Sequence, residues 1–173
     1  MEEKTPKSSA LYKHKITLHT ITPLLMHGAN PRGRAETRAT SFKGVIRYWW
    51  RVLQTKPSRL RKEETKLFGG AGAEDGGTAS PLRLSVSRLE GNRFYSLRPH
   101  RGGARGSATG IDANQKFNFE WAVLNKDKKL QDEYKAILEF CFALGSFGQR
   151  ARRGYGSLHV EGIIWKTVEE YEK

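Results

Sequence analysis

Three stretches of the chain alternate apolar and polar residues with a period of two. Over Lys13–Thr22, Ile16, Leu18 and Thr20 share one side and Thr17, His19 and Ile21 the other, which predicts a strand. Pro23 closes that strand or sets it at a sheet edge. Leu82, Leu84 and Val86 alternate with Arg83, Ser85 and Ser87 and predict another. The clearest strand has Phe117, Phe119, Trp121 and Val123 interleaved with Asn118, Glu120 and Ala122. A short strand over Phe94–Leu97 follows a turn at Gly91-Asn92. Leu158, Val160 and Ile164 predict a last strand, interrupted by Gly162.

Two stretches change to helical spacing. Phe42, Val45, Ile46, Trp49 and Leu53 form one apolar stripe, with Thr40 or Ser41 available as the N-cap. Trp50 lies a quarter-turn off that stripe and reads as packing sooner than base stacking. Gly44 costs such a helix about 1 kcal/mol relative to Ala. It points to close approach of a ligand or another backbone, or to a packing requirement. Leu130, Tyr134, Ile137, Leu138, Cys141 and Leu144 predict a second helix, with Gly145 suited to its C′ position.

The remainder reads as loop: residues 27–39, a charged and weakly structured stretch at 56–67, and glycine-rich segments at 69–77, 98–110 and 145–157. Polar tails at 1–12 and 167–173 flank one domain at 13–166. The order strand, helix, two or more strands, helix, strand is the split βαβ pattern. It predicts an α+β, ferredoxin-like (RRM-like) βαββαβ domain with glycine-rich loop insertions, antiparallel, with both helices on one face.

Charge changes the picture next. The 173 residues hold 31 Lys and Arg against 18 Asp and Glu, a net charge of +13. Such a field attracts polyanions, nucleic acid first and anionic membrane second. It argues against enzymes that act on free cations or bury paired acidic metal ligands. The excess is local. Residues 32–61 carry Arg32, Arg34, Arg38, Lys43, Arg47, Arg51, Lys56, Arg59 and Arg61 against Glu36 alone. Lys43, Arg47 and Arg51, four apart, form a basic ridge along the first helix. A phosphate path needs such spacing, although a solvated helix face is the plainer alternative. One cysteine excludes an internal disulfide and fits a reducing cytoplasm. No apolar run approaches the roughly 18 residues of a membrane span.

The second candidate for phosphate contact is Gly145-Ser-Phe-Gly-Gln-Arg-Ala-Arg-Arg-Gly-Tyr-Gly156. Glycines let backbone N–H groups converge on an anion. Arg150, Arg152 and Arg153 add bidentate donors, Tyr155 a stacking face, and Gly154 and Gly156 the turn. A solvent-exposed loop is the alternative. It is not a Walker A loop, because it lacks Gly-x-x-x-x-Gly-Lys-Ser/Thr. Nor is it a dinucleotide fingerprint, since it follows a helix and opens a strand. The histidines share no metal-ligand spacing with Cys, Asp or Glu, and no cofactor is implied. His27, beside Gly28, has the chemistry of a general base on a ribose 2′-OH, with an uninvolved loop histidine as the alternative. Asp75 and Asp112 lie in glycine-rich loops, and Cys141 falls on the core stripe as an inert thiol.

Two segments carry a family resemblance. One is Ile21-Thr-Pro-Leu-Leu-Met-His-Gly-Ala29 with Ser41-Phe-Lys-Gly-Val-Ile-Arg-Tyr-Trp-Trp-Arg51; the other is Leu144–Leu158. Together they resemble the RAMP superfamily of CRISPR-associated proteins, and more narrowly the first subunit of the type III-B Cmr effector complex. The resemblance implies a ferredoxin-like domain in a multisubunit, RNA-guided antiviral complex of the cytoplasm. It implies single-stranded guide or target RNA and other effector subunits as partners, and no membrane. Lys43, Arg47 and Arg51 on the helix, and Arg150, Arg152, Arg153, Gly154 and Gly156 on the loop, match the family's segments. The implied role is RNA binding without catalysis; a metal-independent RAMP-type endoribonuclease using His27 is the alternative.

Overall fold

The structure is a computed structural model, and it describes residues 12–70, 77–97, 107–124 and 127–162. The elements are β1 (Tyr12–Thr20), β2 (Ala35–Glu36), α1 (Ala39–Val52), α2 (Leu60–Phe68), β3 (Leu82–Val86), β4 (Glu90–Gly91), β5 (Arg93–Ser96), β6 (Ser107–Gly110), β7 (Lys116–Val123), α3 (Lys128–Leu144) and β8 (Leu158–Val160). Four strands form the main sheet in the order β3-β7-β1-β8, with every neighbouring pair antiparallel. Taking β1, α1, β3, β7, α3 and β8 as the six elements, the first and third strands lie in the middle. That is the ferredoxin-like arrangement the sequence predicts.

The alternation in β7 places Phe117, Phe119, Trp121 and Val123 on the buried side, each at most 5% exposed. Register opposes Phe117 to Leu18 and Phe119 to Ile16, so β1 and β7 present one apolar face. Phe42 and Ile46 of α1, and Tyr134, Leu138 and Cys141 of α3, cover that face. Phe42 lies 5.3 Å from Phe119, 6.0 Å from Phe117 and 4.9 Å from Phe147, centroid to centroid. Thr20, polar but buried, is satisfied: its hydroxyl donates to the Asp112 carbonyl at 2.7 Å and accepts from the Gln115 N–H at 2.9 Å. Thr20 so pins the end of β1 to the turn before β7.

Several sequence expectations need correction. The first strand ends at Thr20, not Thr22. The first helix begins at Ala39 with Arg38 as its N-cap and no side-chain cap, so Thr40 and Ser41 belong to its first turn. Its buried residues are Phe42, Ile46 and Trp50; Trp49 is half-buried and Leu53 is exposed. The stripe is therefore rotated from the predicted one, because α3 and α2 close on Trp50. Trp50 meets Phe68 at 5.9 Å and donates to Glu133 at 3.4 Å. Where the sequence predicts weak structure over residues 56–67, Pro57–Arg59 form a 3₁₀ turn and Leu60–Phe68 form α2, held by Leu67 and Phe68 in the core.

The glycine-rich stretch ending at Gly110 closes with β6, which pairs β5; residues 98–106, with Arg101 and Arg105, lie outside the described set. Gly145 is extended (φ −84°), not a left-handed cap. Its lack of a Cβ matters for space instead, since a Cβ would sit 2.3 Å from the Cys141 carbonyl oxygen. The last strand stops at Val160. Ile164, most of the N-terminal tail, Asp75, His100 and the C-terminal tail lie outside the described residues.

Phe42→Ala removes the ring that joins sheet, helix and loop. Its expected cost is about 3–5 kcal/mol, measured as the shift in the urea unfolding midpoint. A loss under about 1 kcal/mol would mean the cluster is not the keystone of the core.

Candidate nucleic-acid interface

A helix advances about 100° per residue, so α1 divides into three faces. Phe42, Ile46 and Trp50 look into the core. Lys43, Arg47 and Arg51 form the predicted ridge on a second face. Ser41, Gly44, Val45 and Tyr48 occupy the third and line an open groove of about 770 Å³.

The ridge is not an open row of cations. Glu64 of α2, 8% exposed, stands against it. Arg47 Nε donates to Glu64 Oε1 at 2.8 Å, and Arg51 Nε donates to Oε2 at 2.8 Å. Arg47 Nη2 and Arg51 Nη2 also lie 2.6 and 2.5 Å from Oε1. Hydrogen bonds from Arg51, outweighing burial, and then those from Arg47 hold the carboxyl below its ordinary value. Lys43 has no acidic partner among the described residues; burial and then Arg47 lower its pKa. The loop arginines divide similarly. Arg34 pairs with Glu90 at 3.7 Å. Arg38 pairs with Glu36 at 3.7 Å and donates to the His27 carbonyl at 3.1 Å. Arg32 is exposed and has no acidic partner among the described residues.

The loop after α3 forms the groove's other wall, with Leu144, Ser146, Gly148, Gln149, Ala151 and Arg152 facing it. Trp49 of α1, and Leu25, Met26 and His27 from the segment after β1, are the remaining lining. The loop's frame is fixed by backbone. Gln149 N–H donates to the Leu25 carbonyl at 2.7 Å, Gly156 N–H to Pro23 at 3.0 Å, and Phe147 N–H to Gly156 at 2.9 Å. Gly148 and Gly156 take positive φ (85° and 76°) in contact with these carbonyls. A Cβ on Gly156 would lie 1.8 Å from the Phe147 oxygen. Gly156 is thus buried beneath the loop, where packing against Phe147 requires a glycine. Above this frame Ala151–Arg153 forms one 3₁₀ turn that ends at exposed Gly154. Arg150, Arg152 and Arg153 have no acidic partner among the described residues, and they line a second recess of about 530 Å³. Tyr155 is half-buried, edge-on to Tyr95 at 6.2 Å, and its hydroxyl donates to the Ser96 carbonyl at 3.4 Å. It braces the loop against β5, and its ring is not a free stacking platform.

His27 is buried, and its ring is fixed. The Thr109 hydroxyl donates to the Gly33 carbonyl at 2.5 Å, so Thr109 Oγ1 accepts from His27 Nε2 at 2.9 Å. That leaves Nδ1 as the lone-pair nitrogen, buried without a hydrogen-bond partner among the described residues. Burial lowers the His27 pKa, against smaller raising effects of the Thr109 bond and Glu36. His27 thus borders the groove with Nε2 engaged by Thr109 and Nδ1 buried. Asp112 is engaged as well: Tyr95 donates its hydroxyl to the carboxylate, and Arg93 lies 3.7 Å away. Burial, then the Asp112 hydrogen bond, pushes the Tyr95 hydroxyl up to about 12. Burial pushes the Cys141 thiol up to about 12.

The outer face of the sheet offers Lys13, Lys15, Thr17 and His19 from β1, and Lys116, Asn118, Glu120 and Ala122 from β7. Glu120 pairs with Lys15 at 3.8 Å and Glu161 with Lys116 at 2.7 Å. Among the described residues no Phe, Tyr or Trp faces out there; the rings on that face are His19 and His159, edge-on at 6.2 Å. Among the described residues no three His, Cys, Asp or Glu gather to hold a metal, and no helix is long and apolar enough to cross a membrane.

The structure therefore joins the two predicted regions across one groove, but through a different face of α1. Sequence reasoning missed Tyr48, Ser41 and Gln149. Tyr48 is 57% exposed and edge-on to Trp49 at 5.7 Å. The available signal was its phase, four residues after Gly44 and seven after Ser41.

A model of the RAMP superfamily matches residues 17–159. The chain is 28% identical over 183 aligned positions to the CRISPR system Cmr subunit Cmr1-2 of Pyrococcus furiosus, covering 87% of this chain and 96% of that protein. The fold resembles the crystal structure of apo Cmr1 from P. furiosus with a TM-score of 0.63 and 19% identity. That match takes in 93% of this chain but 53% of the other, so the chain spans about half of that Cmr1. It also resembles a chain of the cryo-EM structure of the type III-B Cmr-β complex bound to cognate target RNA. There the TM-score is 0.58 and the identity 13%, over 87% of this chain and 58% of the other. A chain of a type IV-B CRISPR complex matches with a TM-score of 0.57 and 15% identity, over 90% and 92% of the two.

His14 and Glu161 have lowered pKa values too, and beside them Glu64 and His27 contribute to the acid side of stability. Both pKa values are lowered by folding, so each contribution is complete above the ordinary values of 4.5 and 6.5 and is lost as pH falls below them. The urea midpoint is expected to fall in two stages, first below pH 6.5 and then below 4.5. Glu64→Gln should cost about 1–2 kcal/mol, discounted for half-exposed arginines, and should flatten the second stage. An unchanged second stage would remove Glu64 from this role.

Proposed function

The chain belongs to the RAMP superfamily, and on that footing we propose that it is an RNA-binding, non-catalytic subunit of a CRISPR RNA-guided effector complex. One observation carries the reading. Arg150, Arg152 and Arg153 stand without acidic partners among the described residues, on a loop whose feet are fixed by backbone bonds and that walls a groove whose opposite wall presents Tyr48. Guanidiniums clustered on one turn hold phosphates, and an exposed ring beside them favours open bases over duplex. Arg32 and Lys43 extend the positive path. Arg47 and Arg51 remain with Glu64 and support it as scaffold. Guide RNA, target RNA or both are the ligands, and other effector subunits the neighbours. The unit that binds is the domain at 13–166, working in the cytoplasm where such complexes meet RNA. The 28% identity to a Cmr1-2 subunit supports this assignment.

Salt titration of single-stranded RNA binding tests the phosphate contacts. Each contact contributes about 0.7 to the slope of log K against log salt, so Arg152→Ala with Arg153→Ala should reduce the slope by about 1.4. Unchanged affinity and slope would reject the loop as a phosphate site. The competing activity, metal-independent cleavage of guide precursor, has His27 as its base. Incubation of labelled precursor in EDTA is expected to give no discrete product. A cut that disappears in His27→Ala would reassign the chain as an endoribonuclease.

A further inference from the structure

Gly44 is the one glycine inside α1, and nothing in the fold asks for it. A Cβ built there meets no heavy atom within 4 Å. Helix propensity favours Ala at such a site, so neither packing nor conformation accounts for the residue. Its surroundings are those of a slot. Tyr48 lies one turn on, and a helical side chain leans over the turn before it, so the ring borders the open space above Gly44. Trp49 meets Tyr48 edge-on and limits where that ring can turn. Ser41 lies one turn before Gly44 on the same face, and Gly148, Gln149 and Arg152 stand across the groove.

We propose that the space over Gly44 is a recess for one unpaired nucleobase of a bound RNA strand, stacked against the Tyr48 ring. The inference rests on reading the groove as an RNA interface and names what enters it. A flat ring fits where a helix lacks a Cβ, and every base offers a π-face to tyrosine. The Ser41 hydroxyl and the Gln149 amide supply donor and acceptor capacity for the base edge. Arg152, on the same groove, meets the phosphate of the same nucleotide. Charge complementarity selects this occupant, because the rim is cationic and without acids among the described residues.

The test uses the full chain with two probes of equal length, single-stranded oligoadenylate and an abasic ribose-phosphate oligomer. The wild type is expected to bind oligoadenylate about tenfold more tightly, the fold-change of one stacked base. Tyr48→Ala and Gly44→Leu should abolish that difference. Gly44→Ala guards against misfolding. It should raise Tm by about 3 °C through helix propensity while weakening oligoadenylate binding. Arg152→Ala should weaken both probes. Equal binding of both probes by the wild type overturns the recess and leaves the phosphate interface standing. So does a Gly44→Leu variant that still prefers oligoadenylate tenfold. A wild type that binds neither probe overturns the RNA interface itself.

Discussion

The contact on which the rest depends is that of Phe42 with Phe147. Phe42 is in the first turn of α1 and Phe147 is in the loop after α3, and both are fully buried over Phe119 of the central strand. Close aromatic packing of this kind fixes distance and tilt as well as stabilising the core. Because Phe147 is anchored, the residues after it have a defined starting point. Because Phe42 is anchored, the faces of α1 have a defined rotation. The groove between them is the space those two rings leave when the helix and the loop are held at that separation.

Charge is then sorted by rotation about α1. The face that turns toward α2 carries three cations and meets a buried carboxylate, which takes up two of them. The face that turns toward the groove carries no charge at all: a hydroxyl, a glycine, a valine and a tyrosine. The cations available to a polyanion come chiefly from the opposite wall. Neutral surface on one side and, on the other, guanidiniums without acidic partners among the described residues form an asymmetric channel.

The strands were legible because alternation is a local property and the rings of β7 repeat it without a break. The ferredoxin-like order followed from them. The rotation of α1 was not legible to within one residue. Trp49 and Trp50 are adjacent, and Leu53 fits a stripe through Trp49 as well as the real stripe passes through Trp50. Only the positions of Phe68 and Glu133, remote in sequence, decide between them. α2 was hidden because its nine residues are mostly charged and its two core residues come at its end. Pairing of Arg47 and Arg51 with Glu64 spans 17 and 13 residues and depends on how α2 packs. From composition the same arginines read as open charge. The arginine loop was found by its composition, whereas the division of labour among its glycines depends on carbonyl contacts that no local pattern records.

The loop after α3 is pinned at its two feet, through Leu25, Pro23 and the bridge between Ser146 and Ser157, and its outer turn from Arg150 to Gly154 rests on little else. Substitutions in that outer turn therefore leave core contacts undisturbed. Arg152 and Arg153 can be exchanged, and the charge of the loop changed, without touching the contacts that hold its feet.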